Sequence, residues 1–315
     1  MTQLHLVYRS YGGENTKNRP HYYSKALALA SFARAAAEIG SADVVFLNNG
    51  PIEDDYLPLM KAVGRVVDVA DEPLGVQESF RFALTMPERE GWSADDVVSY
   101  NEDDYLFHGS AFQALADAVH DLPTVPYFAF HGRLPRPGES AEEARRRYEL
   151  PHDWTPQPDL VSHDRVWSNV ASTTGTFAAR IGILQEDLPI FYQCMRPFRT
   201  RYLDHEICLL YQGCVPYRGK QLLLGLPNDF ERSARGVVRT AILVPYRFAL
   251  NARARRQSEP HLLYVANPNL AAHLEVDYVR DDQDWLTLVD EVAQWATDEG
   301  FGGLGERIRS RLVTD

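Results

Sequence analysis

Three consecutive acidic residues end an apolar, strand-like segment near the middle of the chain. The segment VVSYN at 97–101 is followed by Glu102, Asp103 and Asp104. Because side chains alternate along a strand, Glu102 and Asp104 should point to one side and Asp103 to the other. Two carboxylates about 4 Å apart repel each other by roughly 4 kcal/mol at an effective dielectric constant near 20, and a bound divalent cation reverses that repulsion. The cluster therefore predicts a metal site, with a solvated loop tip as the alternative.

A nearly identical acidic segment, EDDY at 53–56, occurs earlier and serves as an internal comparison. It also follows a strand-like run, at 43–47, but the residues NNGP at 48–51 end that strand first. Apolar residues at helical spacing then follow from 57 to 63, and acids in the first turn of a helix favourably oppose its dipole. The first copy is therefore predicted to be structural, and the second to bind metal.

A glycine-containing turn after the first strand-like segment forms a second candidate site. It contains Arg9, Gly12, Gly13 and Asn15, and Lys25 follows shortly afterwards. Glycine lets the backbone approach a phosphate closely, and Arg and Lys neutralise its charge. The turn therefore predicts a diphosphate site, although it matches neither the Walker loop nor the dinucleotide fingerprint. A plain Gly-Gly turn beside surface cations is the alternative.

The residues Asp204-His205-Glu206 stand where a helix is predicted to begin. A carboxylate held close to an acceptor hydroxyl can act as a general base. Successive helical residues diverge by about 100°, so Asp204 and Glu206 cannot both face one cleft, and one of them is expected to be structural. Asp204 is the preferred base and Glu206 the alternative. Among the histidines, His273 is the candidate for bringing a neutral imidazole to the carboxylates, with a structural role as the alternative.

The surrounding pattern predicts an α/β fold with a mostly parallel sheet flanked by helices. A strand at 4–8, a helix at 24–39 capped by Ser24 and a strand at 43–47 make a β-turn-α-β beginning. Ligands bind beyond the carboxyl ends of strands in such sheets, so Arg9, the glycines and the acidic cluster should meet at one edge. The further elements expected are helices at 55–64, 76–86, 110–120 and 203–211, and strands at 65–69, 96–101 and 126–131.

The later part of the chain changes character twice. Residues 134–158 are proline-rich and charged, which predicts an insertion or a mobile loop. Residues 229–315 are predicted to form a separate, mostly helical extension, with seven arginines at 232–256. Those arginines are most simply a solvated helix face, and the alternative is docking to an anionic acceptor or peripheral contact with a membrane.

Composition limits the classes of function. The chain has 315 residues, 45% of them hydrophobic, which is enough for one large domain or a domain with an extension. A formal charge of −12 argues against sequence-independent nucleic-acid binding. No run approaches the roughly 18 apolar residues that span a bilayer, and no signal-like segment precedes the fold, so we expect a cytoplasmic protein. The three cysteines lack a Cys-x-x-Cys spacing and are expected to be reduced and buried.

The order of these parts resembles that of the glycosyltransferases of the GT-A fold. A loop after the first strand (9–15) precedes an Asp-x-Asp-like motif at the end of a middle strand (102–104), a region of small hydroxyl residues (172–176) and an acid-rich helix start (204–206). The resemblance covers residues 1–228, with a nucleotide-binding part at about 1–133 and an acceptor part at about 159–228.

The resemblance implies a nucleoside-diphosphate-sugar donor and a Mg or Mn ion. Asp104, helped by Glu102 or Asp103, would hold the ion at the donor's phosphates, and in some GT-A families a histidine near the C-terminus also binds it, which points to His273. Asp204 would activate an acceptor hydroxyl for direct displacement, which makes the enzyme inverting. Two departures from the family pattern are that Glu replaces the first Asp of the usual motif and that Asp-His-Glu stands where many inverting members have Glu-Asp.

Three other readings compete with this one. A sugar nucleotidyltransferase on a related sheet would carry a Gly-x-Gly-x-Arg loop, but here Arg9 precedes the glycines. A metal-dependent phosphoesterase usually gathers more His and Asp ligands than this pattern brings together. A catalytically inactive sugar-binding protein of the same fold would share the architecture without turnover.

Overall fold

The computed structural model describes residues 2–13, 17–134, 143, 151, 153–196, 202–226, 233–279 and 282–312. The strands are β1 Leu4–Tyr11, β2 Asp43–Asn49, β3 Arg65–Ala70, β4 Val97–Glu102, β5 Tyr105–Phe107, β6 Tyr127–Ala129, β7 Leu160–Ser162, β8 Arg165–Asn169, β9 Phe177–Arg180, β10 Leu263–Asn267 and β11 Ala271–His273. The helices are α1 Lys25–Ile39, α2 Leu57–Val63, α3 Val76–Leu84, α4 Met86–Glu90, α5 Ala111–Asp121, α6 Ile181–Met195, α7 Asp204–Tyr211, α8 Gln221–Leu224, α9 Ala234–Ala254, α10 Trp285–Asp298 and α11 Gly302–Arg309.

Nine of the described strands form one central sheet in the order β3-β2-β1-β4-β9-β6-β10-β8-β7. Strands β1 to β4 pair in parallel, β9 lies antiparallel between β4 and β6, and β8 lies antiparallel between β10 and β7. Seven of these nine strands therefore run in one direction. The expected mixed α/β fold with a mostly parallel sheet is confirmed.

Helix α1 shows how the sequence builds the layer that covers this sheet. Ser24 caps the helix, because its Oγ accepts a hydrogen bond from the Leu27 backbone N–H (3.1 Å), and Gly40 ends it with φ +62°. Most of the helix is buried, since α1 packs against the sheet on one side and against α10 on the other. The Phe32 ring makes edge-to-face contacts with the rings of Phe46 and Phe112 in this core.

Most predicted elements lie where expected, with shifted ends. The helix predicted at 76–86 ends at Leu84, and the short α4 follows it with a proline in its first turn. The strand predicted at 126–131 is limited to 127–129. Most of the segment 134–158 lies outside the described residues. The three cysteines are free and buried, as predicted.

The prediction of a separate C-terminal extension is wrong. Residues 229–315 are mostly helical where they are described, but β10 inserts between β6 and β8 of the central sheet, and β11 pairs with β5. A strand's backbone donors and acceptors need partners, and β10 finds them in β6 and β8 of the central sheet. The boundary at residue 228 therefore does not divide the sheet.

Candidate active site

The acidic motif lies at the edge of the sheet where β1 and β4 end side by side. Arg9 of β1 is opposite Glu102 of β4 in the parallel register. Strand β4 stops at Glu102, and Asp103 and Asp104 form the turn into β5. Strand alternation therefore ends before Asp104, so the turn, rather than the pleat of β4, sets the position of Asp104 relative to Glu102. Each of the three carboxylates has its own cationic neighbour.

Glu102 is held between Arg9 and Tyr202. Its Oε1 accepts hydrogen bonds from Arg9 Nη1 (3.1 Å) and from the Tyr202 hydroxyl (3.3 Å). The Tyr202 ring stacks on Phe80 at 4.6 Å, and the Arg9 guanidinium lies over the same Phe80 ring at 4.7 Å. The Glu102 carboxylate is therefore paired with the Arg9 guanidinium.

Asp103 faces the glycine turn. Its Oδ2 accepts a hydrogen bond from the Tyr11 backbone N–H (2.9 Å) and lies 3.6 Å from Lys25 Nζ. Burial raises the pKa of Asp103 to about 6, against the opposing effect of Lys25. Lys25 also donates to the carbonyl oxygens of Tyr11 and Gly13. The predicted phosphate residue Lys25 therefore lies where the turn and the acidic motif meet.

Asp104 is surrounded by three basic side chains. Its Oδ2 accepts a hydrogen bond from Arg19 Nη2 (2.9 Å) and lies 3.6 Å from Lys17 Nζ and 3.3 Å from His273 Nε2. Burial alone would raise the pKa of Asp104, but the hydrogen bond with His273 and the charges of His273, Lys17 and Arg19 hold that pKa well below its usual range. Asp104 is therefore anionic at neutral pH.

His273 reaches this site through strand pairing. Strand β11 runs antiparallel to β5, with His273 opposite Tyr105, and the two rings stack at 4.8 Å with an interplanar angle of 4°. The Leu274 backbone N–H also donates to the Asp104 carbonyl oxygen (2.9 Å). The predicted meeting of His273 with the carboxylates occurs, although 168 residues separate it from Tyr105 in the sequence.

The glycines of the turn are required by packing. The Gly12 N–H donates to the Asn49 carbonyl oxygen (3.1 Å), and a Cβ on Gly12 would lie 2.2 Å from the carbonyl oxygen of Pro51. A Cβ on Gly13 would lie 2.5 Å from the Tyr11 ring. The turn is therefore pressed against the end of β2. Asn15, the remaining residue predicted here, lies outside the described residues.

The three residues at the start of α7 have distinct environments. Asp204 lines the cleft, and burial raises the pKa of its carboxyl group, with a smaller contribution from the Glu102 charge. Glu206 is 3% exposed, and its Oε1 accepts a hydrogen bond from the Tyr217 hydroxyl. His205 Nδ1 lies 2.9 Å from Ser172 Oγ, and burial lowers the pKa of this imidazole to about 4. Asp204 and Glu206 both line one cavity, so the expectation that they could not face the same cleft is wrong. Only Asp204 also lines the cavity that holds the acidic motif, whereas Glu206 is nearly buried, so Asp204 stays the preferred base.

Two adjoining cavities meet at these residues. One, of about 540 Å³, is lined by the acidic motif, Arg9 and Lys25. The other, of about 440 Å³, is lined by the hydroxyl-rich segment 172–174 and by the start of α7. The residues that line both are Lys17, Thr174, Tyr202, Asp204 and His273. Asp204 is thus placed at the junction of a charged cavity and a hydroxyl-lined one.

The side chains partly fit a divalent cation. Asp104 Oδ1 is buried with no hydrogen-bond partner, and His273 Nε2 lies 3.3 Å from Asp104 Oδ2. Mg²⁺ is commonly bound through one or two carboxylates together with substrate phosphates and water. Glu102 does not fit this set, because Arg9 and Tyr202 occupy it. No group of three or more His, Cys, Asp or Glu side chains within the described ranges is arranged to hold a metal ion.

Gly175 and Tyr202 belong to the site and were missed in the sequence. Gly175 lies so close to the Glu102 carboxylate that a Cβ there would be 2.6 Å from its Oε1 and 2.4 Å from the Tyr202 hydroxyl oxygen. The segment 172–176 was singled out for its hydroxyl groups, whereas its glycine is the residue that allows the close approach. A lone tyrosine two residues before an acidic helix start gives no signal in a single sequence.

Gly175→Ala tests whether the site needs the close contact of Gly175 with Glu102 and Tyr202. The added methyl group must displace Glu102 and Tyr202 together, and misplacing a site by about 1 Å can cost roughly 10²-fold in rate, so we expect a comparable fall in kcat/KM once a substrate pair is known. Gly303→Ala is the matched control, because a Cβ at Gly303 meets nothing within 4 Å. Equal activities of the two variants would show that Glu102 and Tyr202 do not need this arrangement.

Comparisons with known proteins give limited information. No protein-family model and no curated protein matches the sequence. Among solved structures, residues 1–349 of TarS from S. aureus match with 11% identity over 93% of this chain and 64% of that one, at a TM-score of 0.40. A 4-diphosphocytidyl-2C-methyl-D-erythritol synthase matches with 9% identity over 60% of this chain and 80% of that one, at 0.34, and a mycobacterial protein with 14% identity over 80% and 75%, at 0.36.

These similarities concern the fold alone, and at such TM-scores they carry no argument about chemistry. The order of strands β3-β2-β1-β4, with an acidic turn directly after β4, is consistent with the GT-A-like α/β fold that the sequence resemblance implied. No helix in the described ranges is long and apolar enough to cross a membrane. What the site does must therefore be argued from its residues.

Proposed function

We propose that this protein is a glycosyltransferase that moves a sugar from a nucleoside-diphosphate sugar to an acceptor hydroxyl. The observation that supports this most strongly is the position of Asp204, in the wall shared by the charged cavity and the hydroxyl-lined cavity. A carboxylate that lines both cavities can act as a general base on an acceptor hydroxyl placed next to a bound donor.

The charged cavity suits the donor's diphosphate. Arg9, Lys17 and Lys25 line it, and Gly12 and Gly13 lie at its side in an adjoining smaller cavity with Tyr56. Guanidinium and ammonium groups are strong partners for phosphate oxygens. The paired acids keep these cations oriented before the donor arrives, which lowers the reorganisation needed on binding.

We include a Mg or Mn ion in the proposal, held by Asp104 and His273, with Asp103 and Glu102 shaping the charge around it. Such an ion would neutralise the diphosphate as it leaves. The protein's own part is to supply Asp104 as an anion, to fix the imidazole of His273 against Tyr105 and to exclude water with the surrounding aromatic rings.

Asp204 is proposed to take the proton from the acceptor hydroxyl as that oxygen attacks the sugar carbon. Direct attack on the face opposite the leaving diphosphate inverts the configuration at that carbon. The raised pKa of Asp204 makes its carboxylate a stronger base than an ordinary aspartate.

Lys17→Ala separates a metal site from a purely cationic one. Lys17 lies 3.6 Å from Asp104 and 3.2 Å from Glu275, so it competes with an added cation for the Asp104 carboxylate. If Asp104 binds metal, we expect Mn affinity in the presence of nucleoside diphosphate to rise by roughly tenfold in this variant, because one nearby positive charge is removed. Titration calorimetry measures this, with the exposed Lys61→Ala as control.

The opposite result would be equally informative. If chelation of divalent ions leaves nucleoside-diphosphate binding unchanged in both proteins, and Lys17→Ala only weakens that binding, then the protein cations hold the diphosphate alone and the metal assignment is wrong.

The donor is tested by a thermal-shift screen. UDP-, GDP-, TDP- and CMP-sugars are each added with and without Mn, since a ligand that binds the native state raises the Tm. We expect one nucleotide class to raise the Tm, more strongly with Mn. A sugar nucleotidyltransferase would respond instead to a nucleoside triphosphate with a sugar phosphate, and an inactive binding protein would bind donor without ever releasing nucleoside diphosphate.

A further inference from the structure

Helix α9 exposes apolar side chains along its outer face. Ile242 is 68% exposed and Phe248 is 53% exposed, and both lie on the side of α9 that turns away from the protein. Six of the eleven large hydrophobic residues that are exposed in the described ranges gather here. We call these six the α9 apolar face: Leu223, Leu224, Val237, Val238, Ile242 and Phe248.

The remainder of α9 is firmly held, so this exposure belongs to the folded state. The Tyr246 hydroxyl donates to the Gln193 carbonyl oxygen (2.7 Å), and Asn251 exchanges hydrogen bonds with the backbone of Tyr217. Arg247 is buried and donates to the carbonyl oxygens of Leu222 and Leu223, which fixes α8 beside α9. A surface helix normally presents polar residues to water, and α9 does the reverse over several turns.

The charged residues of α9 and its flanking segment are arginines. Between Glu231 and Glu259 the sequence contains seven arginines and no acidic residue, although the whole chain has a formal charge of −12. Arg255 and Arg256, at the end of α9, are exposed. An apolar helix face beside arginines complements a surface that is apolar inside and anionic outside. It does not complement itself, because a symmetric dimer through α9 would bring two arginine-rich helices together.

We propose that the α9 apolar face docks on the surface of a lipid bilayer that contains anionic lipids. The apolar side chains enter the boundary between headgroups and acyl chains, while Arg255 and Arg256 contact lipid phosphates. The helix lies in the plane of the membrane and does not cross it.

If the proposed function holds, docking through the α9 apolar face would also place the acceptor cavity close to the membrane. Leu226 lines the hydroxyl-lined cavity and lies two residues after Leu224 of the α9 apolar face. A docked protein would therefore hold its acceptor cavity near the membrane, where an acceptor carried on a lipid could enter it.

Vesicle sedimentation tests the docking without any donor or acceptor. The full chain is mixed with vesicles of phosphatidylcholine alone or of phosphatidylcholine with phosphatidylglycerol. We expect it to sediment with the anionic vesicles, and Ile242→Ser with Phe248→Ser to lower the partition coefficient by roughly tenfold or more. Neutralising Arg255 and Arg256 to Gln should lower it by about fivefold for each charge.

Matched controls come from the same chain. Val161→Ser removes an apolar side chain that is 65% exposed on β7, and Arg311→Gln removes an exposed charge near the other end of the described chain. Neither should change vesicle binding. A protein that stays in solution with both kinds of vesicle, or a double serine variant that binds as well as the parent, would overturn the proposal.

A second copy is the other occupant that the experiment detects. If light scattering finds a dimer that Ile242→Ser with Phe248→Ser dissociates, and vesicles do not bind, the face joins two copies and the membrane proposal is wrong. Nucleoside-diphosphate binding, measured separately by calorimetry, reports on the proposed function, so the failure of either proposal is distinguishable from the failure of the other.

Discussion

Replacing Asp104 with Asn is expected to lower turnover by roughly 10²- to 10³-fold, the usual cost of removing one preorganised electrostatic group from a reacting centre. Asp104 is the anion on which Arg19, Lys17 and His273 converge. Without its charge those basic groups lose their common partner, and a divalent cation loses the carboxylate proposed to hold it. Turnover is measured as release of nucleoside diphosphate from the donor identified in the thermal-shift screen.

The same substitution should also destabilise the protein. Arg19 and Asp104 are both nearly buried, and breaking a buried ion pair can cost as much as roughly 3 kcal/mol because a charge is left uncompensated. Activity must therefore be measured well below the Tm of the variant. Nothing in the sequence indicates that Arg19 pairs with Asp104, so this loss of stability is predicted from the structure alone.

The earlier acidic segment provides a position-matched control. In EDDY at 53–56, Asp55 corresponds to Asp104, and it pairs with Arg307 at 2.8 Å on an exposed surface. Exposed pairs contribute about 0–1 kcal/mol, so Asp55→Asn should change neither turnover nor stability appreciably. Normal turnover in Asp104→Asn would remove the acidic motif from the proposed mechanism.

Short-range sequence patterns correctly predicted several of the strands and helices that build the sheet and its first covering helix. The strands with apolar runs ending at 47 and 101 are buried on both faces, and most of the alanine-rich helix after Ser24 is buried too. Continuous apolar segments with clear ends, together with the cap at Ser24, therefore identify these elements. The edge where Arg9 meets Glu102 follows from the parallel pairing of β1 with β4. The β-turn-α-β pattern indicated only that the sheet is parallel, so that residues at the carboxyl ends of its strands share one edge.

The remaining features depend on contacts between distant residues, which a single sequence does not encode visibly. The segment 263–267 is short, and only its partners β6 and β8 show that it is a central strand. Likewise, Glu102 and Asp104 were expected to repel each other until a metal bound. Instead, Arg9, Lys25 and Arg19 each reach one of the three acids from another part of the chain. The amino-acid sequence does not show whether the charge of the carboxylates is balanced by protein cations or by a metal ion.

This compensation bears on how the site would bind a donor. Acids and cations that neutralise one another cost less to bury than either set alone, so the cluster can be assembled before substrate binds. A donor diphosphate then exchanges partners with cations that are already in place. Lys17, half-exposed and shared between Asp104 and Glu275, is the cation best placed to change partners.

Asp204→Asn is expected to lower turnover by roughly 10²- to 10⁴-fold, the range of effects for a general base, while the affinity for nucleoside diphosphate changes little. The amide cannot accept the acceptor's proton, but it keeps the shape of the side chain and its contact with the backbone N–H of His205. Donor affinity is measured by calorimetry and turnover by release of nucleoside diphosphate.

The pH dependence gives this prediction a second readout. Burial raises the pKa of Asp204 above that of an ordinary aspartate, and a base works only when deprotonated. As the pH falls through that raised pKa, kcat/KM should therefore fall, approaching a tenfold loss for each pH unit. In Asp204→Asn this acidic limb should disappear from the profile of the residual activity.

Glu206→Gln is the matched control, because Glu206 lies two residues after Asp204 at the same helix start. Its carboxylate is buried and accepts the Tyr217 hydroxyl, so the substitution should lower stability by about 1–3 kcal/mol and leave turnover within a few-fold of the parent. If the folded Glu206→Gln protein instead loses turnover and the acidic limb, while Asp204→Asn keeps both, Glu206 is the base. The environments of the two carboxylates make the first outcome the expected one, because only Asp204 lies where both cavities meet.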